Sequence, residues 1–458
     1  MLFGCEDPFS PAVVEAPESG AFEAGPSPEG APPSVDASVT EAAAEAAAPV
    51  SVVVHVTRAG VPAANVMVVF HDAAGSVLET KTTGADGRAT STPGQAPSQA
   101  TALLGGSGLR RLLTWTAVEL GDELIAEDLG PAASAGAYAV TLQGDFSDGG
   151  ATRASASVGA CSAKAAGTSV SIPLDPDCAR PSVSVLATAF DTSDAPIAYA
   201  FAKAQSGPVD AGTATASVGP WLTPAAVSLT TTNAPAQTTF SAGLIEVSGG
   251  LGFTNASGSG FSGGGETFGV APGFADAYQA EVRMTPNLVL GATLLVAKRV
   301  APAASTALDL STALPALNGA SVDATDVRRP VTAWTTTGGA SLAATDGGSI
   351  ALRWFDAATD DRAWVFVVPP GATSVKAPVM PVAADAWLPI SAGDGGAASS
   401  FGAPEVTFVE SDLLPGYPEL RRDIGRIVPL VPTTGRAARA WLPANGTLRA
   451  TSFLEISL

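Results

Sequence analysis

Val50-Ser51-Val52-Val53-Val54-His55-Val56-Thr57 is a strand by composition, and the residues that follow it decide the fold. β-Branched side chains fill the run, and Ala59-Gly60-Val61-Pro62 closes it with the two residues that most favour a turn. From Asn65 to His71 the chain alternates, with Val66, Val68 and Phe70 on one face and Met67, Val69 and His71 on the other. Asp72-Ala73-Ala74-Gly75 reverses direction, Val77 to Thr82 returns, and Thr83-Gly84-Ala85-Asp86-Gly87-Arg88 ends the run. Strands this short, separated by turns this regular, predict an all-β unit.

Working outward, the same texture continues to the C-terminus. Gly and Pro number 49 and 36, charged residues are 14 %, and Thr, Val and Ser crowd the runs between. Strands are expected at Ser155–Gly159, Thr168–Pro173, Ser182–Ala189, Ala226–Thr231, Thr239–Val247, Gln279–Met284 and Leu288–Ala297. A further set follows at Ser349–Phe355, Ala363–Val368 and Ser374–Val379. Asp309 to Leu317 reads as a short helix or an ordered crossing, and Gly249 to Gly265 as a glycine-rich loop or β-corner. Leu288 to Ala297 is the most apolar run, too short to cross a bilayer as a helix. The expected organisation is a disordered tether over 1–49, then tandem β-sandwiches over 50–145, 146–326 and 327–458.

The Gly-x-Pro turn, the strand after it and the Asp86-Gly87 turn resemble the transthyretin-like, or carboxypeptidase-regulatory-like, bacterial immunoglobulin-like domains. The resemblance is specific from Val50 to Ala89 and looser through Gln143, with a long loop expected at Gly105-Gly106-Ser107-Gly108. It implies a β-sandwich that serves as a spacer or adhesion module, or that sits beside a separate catalytic domain. The tail from Arg328 resembles a fibronectin type III sandwich at the level of pattern alone.

Upstream, Glu6 to about Pro49 contains Pro8, Pro11, Pro17, Pro26, Pro28, Pro32 and Pro33 among glutamates and alanines. No Lys or Arg occurs before Arg58. Such a stretch buries too little apolar surface to offset its ordering entropy, and the prolines keep it extended. Ahead of it, Leu2-Phe3-Gly4-Cys5 resembles the lipobox of bacterial lipoproteins, in which a small residue precedes the cysteine that is cleaved and lipidated. That implies a lipid on Cys5, a signal peptide encoded upstream of Met1, and a place in the cell envelope, anchored to a membrane and either periplasmic or surface-exposed.

Cys161 and Cys178 are the two cysteines left once Cys5 is set aside. An even pair fits an oxidising compartment, and a disulfide over so short a loop would stabilise by about 3 kcal/mol; two unpaired buried thiols are the alternative. The net charge of -20 repels polyphosphate, so nucleic acid is not expected as a partner. Membrane, through the lipid, is the expected partner, with polysaccharide or an envelope protein as further candidates.

Catalytic patterns find little support. His55 and His71 are the only histidines, and no acid or cysteine stands beside them at ligand spacing, so they read as solvent-face residues of a sheet. Gly258-Ser259-Gly260-Phe261-Ser262-Gly263 matches a dinucleotide pattern letter for letter, but Gly264-Gly265 after it cannot start the required helix. Asp356, Asp360 and Asp361, with Asp346 nearby, read as turn residues; no metal site, no cofactor and no catalytic residue is expected.

Trp334, Trp354, Trp364 and Trp387 concentrate near the C-terminus. Exposed rings would be stacking platforms for sugars, and Trp334, Trp354 and Trp387 are candidates for ligand binding, whereas Trp364 reads as core. Arg421, Arg422 and Arg426 near Tyr417 form the one dense basic cluster; receiving an anion and bridging to a neighbouring domain are the two readings, and the bridge is the expected one. The reading is of a non-catalytic exported lipoprotein for adhesion, scaffolding or ligand capture. A carbohydrate-binding surface protein is the alternative, and a hydrolase with an unrecognised carboxylate site is the least favoured.

Overall fold

The computed structural model describes residues 50–58, 60–106, 109–128, 135–144, 150–165, 167–175, 178–208, 212–236, 238–261, 264–287, 289, 291–355, 361–391, 399–426 and 442–454. Cys5 and the expected tether lie outside the described residues. The chain is all-β with several sheets, as expected.

The first module comprises β1 (Val53–Arg58), β2 (Val61–Pro62), β3 (Met67–His71), β4 (Val77–Thr82), β5 (Arg88–Thr90), β6 (Gln99–Gly106), β7 (Leu109–Thr116) and β8 (Glu123–Glu127). One of its layers runs β4-β3-β6-β7. The other is built on β1, with β5 antiparallel on one edge and β8 parallel on the opposite edge. Val54, Val56, Phe70, Leu104, Trp115 and Leu124 fill the space between the layers. The Asp86-Gly87 turn is required here: Gly87 has φ +73°, and a Cβ on it would meet the Val56 carbonyl oxygen at 2.5 Å. The expected long loop after Gly105 is instead a tight hairpin, since β6 and β7 pair to Gly106↔Leu109.

The second module repeats this plan. It contains β9 (Ala137–Leu142), β10 (Arg153–Val158), β11 (Cys161–Lys164), β12 (Ser169–Pro173), β13 (Ser182–Phe190), β14 (Pro196–Ser206) and β15 (Thr213–Val218). One layer runs β11-β10-β13-β14; in the other, β9 takes β12 antiparallel and β15 parallel.

The third does so again with β16 (Ala225–Thr232), β17 (Thr238–Ser248), β18 (Leu251–Phe261), β19 (Gly265–Val270), β20 (Ala277–Pro286), β21 (Ala292–Val300) and β22 (Ser305–Asp309). The order is β18-β17-β20-β21, and β16 takes β19 antiparallel and β22 parallel. The expected boundary near 145 falls inside the second module, after its β9, and the stretch read as one unit from 146 to 326 takes in the rest of that module and all of the next, which begins at β16. The stretch read as a glycine-rich loop is mostly the strand β18, because an edge strand pairs through its backbone alone. Leu310–Thr312 is a single 3-10 turn where a helix or crossing was expected.

The fourth module has β23 (Leu317–Asp323), β24 (Val331–Thr336), β25 (Gly347–Phe355), β26 (Asp361–Val368), β27 (Ser374–Lys376), β28 (Ser400–Phe401), β29 (Glu405–Ser411), α1 (Tyr417–Arg422) and β30 (Thr447–Leu454). Its β26-β25-β29-β30 layer matches the other three, and β27 again pairs antiparallel with the first long strand, β24. The place of the parallel partner is taken by β23, which precedes β24 and pairs antiparallel.

Modules 1, 4 and 3 fuse edge to edge. β7 pairs parallel with β26, and β30 pairs antiparallel with β21. The result is a 13-stranded sheet in the order β18-β17-β20-β21-β30-β29-β25-β26-β7-β6-β3-β4, with β28 on β25. The expected boundaries near 145 and 326 are thus crossed by strand pairing. Cores on the two faces are continuous across the joins: Val367, Leu448 and Leu295 share a cluster with Trp115, and Leu112 shares one with Trp364 and Phe408.

Candidate functional site

Of the side chains singled out in the sequence, His71, Trp364, Tyr417 and Arg421 are brought together around the join between modules 1 and 4. The parallel register Leu112↔Trp364 and Thr114↔Phe366 brings the two sheets together. The Trp364 indole N–H donates to Thr114 Oγ1 at 2.8 Å. Thr114 Oγ1 lies 2.9 Å from Thr101 Oγ1, which lies 3.0 Å from His71 Nε2. Indole nitrogen can only donate, whereas each hydroxyl can donate or accept, so the direction of the Thr101–His71 bond follows the tautomer of the ring, whose Nδ1 has no hydrogen-bond partner among the described residues. Burial pulls the imidazole down to about 4, against a smaller opposing effect of Asp72.

His71 is therefore not on a solvent face; it is 0 % exposed. β3 sits inside a sheet covered on both sides, so neither set of alternating residues meets water. His55 is half-buried on β1, in the other layer of the module.

Burial also corrects the ligand-binding candidates, because Trp334 and Trp354 point into a core. Trp334 is 3 % and Trp354 1 % exposed, too little for a sugar to stack on either. The Trp334 indole donates to the Ala372 carbonyl at 3.0 Å. Trp364 is core, as read. Trp387 alone of the three candidates is half-buried, with the Arg110 guanidinium 5.7 Å from its ring centroid.

A clasp crosses the same join. The segment between β29 and β30 carries α1, and its Leu420 and Ile424 enter the core of module 1. Tyr417 Oη donates to the Thr116 carbonyl at 2.6 Å and lies 3.2 Å from the Val367 carbonyl, one on each side of the join. Arg421, 2 % exposed, donates to Asp122 Oδ1 at 2.7 Å and to the Ala117 carbonyl. The expected bridge to a neighbouring domain is thus made by Arg421, whereas Arg422 pairs with Glu419 on its own helix at 3.2 Å.

The joint between modules 2 and 3 holds a residue the sequence reading passed over. Glu246 on β17 is 0 % exposed. Its Oε1 accepts from the Ala271 amide at 3.1 Å, and burial pushes the carboxyl up to about 8. Around it, Tyr199 of module 2 donates to the Gly269 carbonyl at 2.8 Å, Ser184 and Ser248 hydroxyls are 3.0 Å apart, and Lys203 pairs with Asp276 at 2.7 Å. A lone acidic residue in an otherwise uncharged strand was the available signal.

Cys161 and Cys178 are bonded, with Cα atoms 6.1 Å apart, tying the start of β11 to the turn after β12. Asp175 lies beside the two sulfurs, but bonded sulfurs offer no thiolate to a metal. Asp346 accepts from the Ser411 and Gly416 amides at 2.6 Å, a structural tie. Asp356 and Asp360 lie outside the described residues; Asp361 is described only as backbone of β26.

No family model matches this chain, and neither does any curated protein. Among solved structures, the Bacillus anthracis TIE protein aligns at 10 % identity over 52 % of this chain and 45 % of its own, with a TM-score of 0.14. The native conformation of E. coli alpha-2-macroglobulin aligns at 11 % identity over 76 % of this chain and 26 % of its own, with a TM-score of 0.11. This chain spans less than half the length of either. Scores this low carry no argument about function.

Proposed function

We propose that this protein is a non-catalytic scaffold of the bacterial cell envelope, held at a membrane by lipid on Cys5 and presenting a rigid β-platform for adhesion or ligand capture. The observation that carries the reading is how the buried polar groups are used. Trp364 bonds Thr114, Tyr417 bonds the Thr116 carbonyl, and Arg421 bonds Asp122 and the Ala117 carbonyl across the join between modules 1 and 4, where they fix the modules relative to each other. Thr101 and His71 continue the Thr114 chain inside module 1. Groups consumed in this way are unavailable to a substrate. The strand plan common to the modules supports extending the transthyretin-like resemblance along the chain, and the disulfide fits an oxidising compartment.

The test is phase partition of protein produced with its native upstream region. Wild type is expected in the detergent phase and Cys5→Ser in the aqueous phase, since two or more acyl chains hold stably where one is marginal. Equal partition of the two would contradict the anchor. Binding to a glycan panel that Trp387→Ala abolishes would favour the carbohydrate reading over a protein scaffold.

A further inference from the structure

We propose that β18 is a homodimerisation edge, pairing antiparallel with β18 of a second copy of this chain. It is eleven residues long and terminates the 13-stranded sheet. Among the described residues its inner edge pairs with β17 and no strand pairs with its outer edge. Leu251 and Phe253 at its start are buried against module 2, which leaves the run Thr254–Phe261, whose backbone has β17 as its one strand partner among the described residues.

Three observations select a second copy as the partner. The first is how this protein makes joins: β7–β26 and β30–β21 are both pairings of outermost module strands. Of the outer strands of the fused modules, β4 and β18 are left. β4 is short and carries Glu79 and Lys81.

The second is protection, or the lack of it. Native edges are normally blunted by charge, proline, brevity or bulges. β18 is long and has neither charge nor proline, and its two register shifts leave out only Asn255 and Gly260, so Ala256–Ser259 runs in unbroken register.

The third is charge. The net charge is -20, so two copies repel over most of their surface. From Ala211 to Gly265 the single ionisable side chain is Glu246, and it is fully buried. This is where two copies can approach without repulsion. An antiparallel pair of identical strands obeys two-fold symmetry and satisfies both edges at once.

Sedimentation of the full chain over a dilution series tests this. Neighbouring residues in a strand direct their N–H groups to opposite edges, so of Ala256→Pro and Ser257→Pro one removes only an outward donor and leaves the β17 ladder intact. Wild type is expected as a dimer that dissociates on dilution. The variant that keeps the wild-type circular dichroism is expected to dimerise about tenfold more weakly or worse. Hydrogen exchange serves as a second readout independent of any variant: amides in 254–261 should gain protection with concentration, while those of β4 should not. Wild type at the mass of one chain throughout, or a dimer indifferent to both substitutions with no concentration-dependent protection in 254–261, would overturn the proposal.

Discussion

Arg421 and Asp122 meet at 2.7 Å across 299 residues of sequence. Arg421 sits on the only α-helix among the described residues, and Asp122 lies in the turn before β8 of module 1. Their side chains are 2 % and 15 % exposed. An ion pair this far from water is there to fix a geometry, and the geometry it fixes is the fourth module against the first.

Removing one partner should therefore cost more than a surface pair would. Arg421→Met leaves Asp122 with an uncompensated charge, and about 3 kcal/mol of stability should be lost. Asp122→Asn should cost less, because the Ala117 carbonyl still accepts from Arg421. Urea titrations of the two single variants and the double variant measure the coupling, which should be absent if the contact does not form.

His71 makes stability depend on pH in a defined direction. Its folded pKa, about 4, lies below the ordinary 6.5. The unfolded chain therefore binds the proton first, and the stabilisation is complete above pH 6.5 and lost as pH falls from there toward 4. The loss is about 3 kcal/mol at the acid end. His71→Leu should flatten that part of the profile relative to wild type, whatever the carboxylates contribute to both; parallel profiles would show that His71 is not held neutral.

Glu246 acts in the opposite direction. Its folded pKa, about 8, lies above the ordinary 4.5, so the neutral acid stabilises fully below pH 4.5 and progressively less as pH rises through 8. Glu246→Gln should remove this alkaline loss while retaining an acceptor for the Ala271 amide. Thermal midpoints from pH 6 to 9 compare the two proteins, and an identical decline in both would exclude Glu246 as the source.

Strand composition made the all-β class legible in the sequence, and the first module nearly in full, because Gly60, Pro62 and Gly87 mark its turns with residues that few others can replace. The repetition of that module was not legible. The modules share a pairing plan and not a sequence, and Thr213–Val218 runs into Ala225–Thr232 with no change of composition at the boundary. Nor could side-chain exposure be read. Alternation tells which residues share a face but not which face is covered: Trp354 is buried between exposed Arg353 and Phe355, and His71 lies in a strand covered on both faces by segments far away in sequence. Arg421 was legible as a bridge because a basic cluster in so acidic a chain must find carboxylates; Asp122 as its partner was not.

Reduction of Cys161–Cys178 should weaken module 2 first. The disulfide closes a loop across 17 residues, worth about 3 kcal/mol in the chain-entropy model. Thiol labelling of the unfolded, unreduced protein should leave both cysteines unmodified. After reduction, proteolysis should cut within 137–218 before it cuts β3, β6 or β7.

A rigid platform requires modules 1, 3 and 4 to open as one body, since they share a sheet and two cores. Native-state hydrogen exchange followed by mass spectrometry reads this directly. Peptides covering β6–β7, β20–β21, β25–β26 and β29–β30 should share one opening free energy and one denaturant dependence, and Arg421→Met should lower all of them together. Independent opening of 53–127, with β26 and β30 still protected, would contradict the fused sheet and with it the scaffold reading.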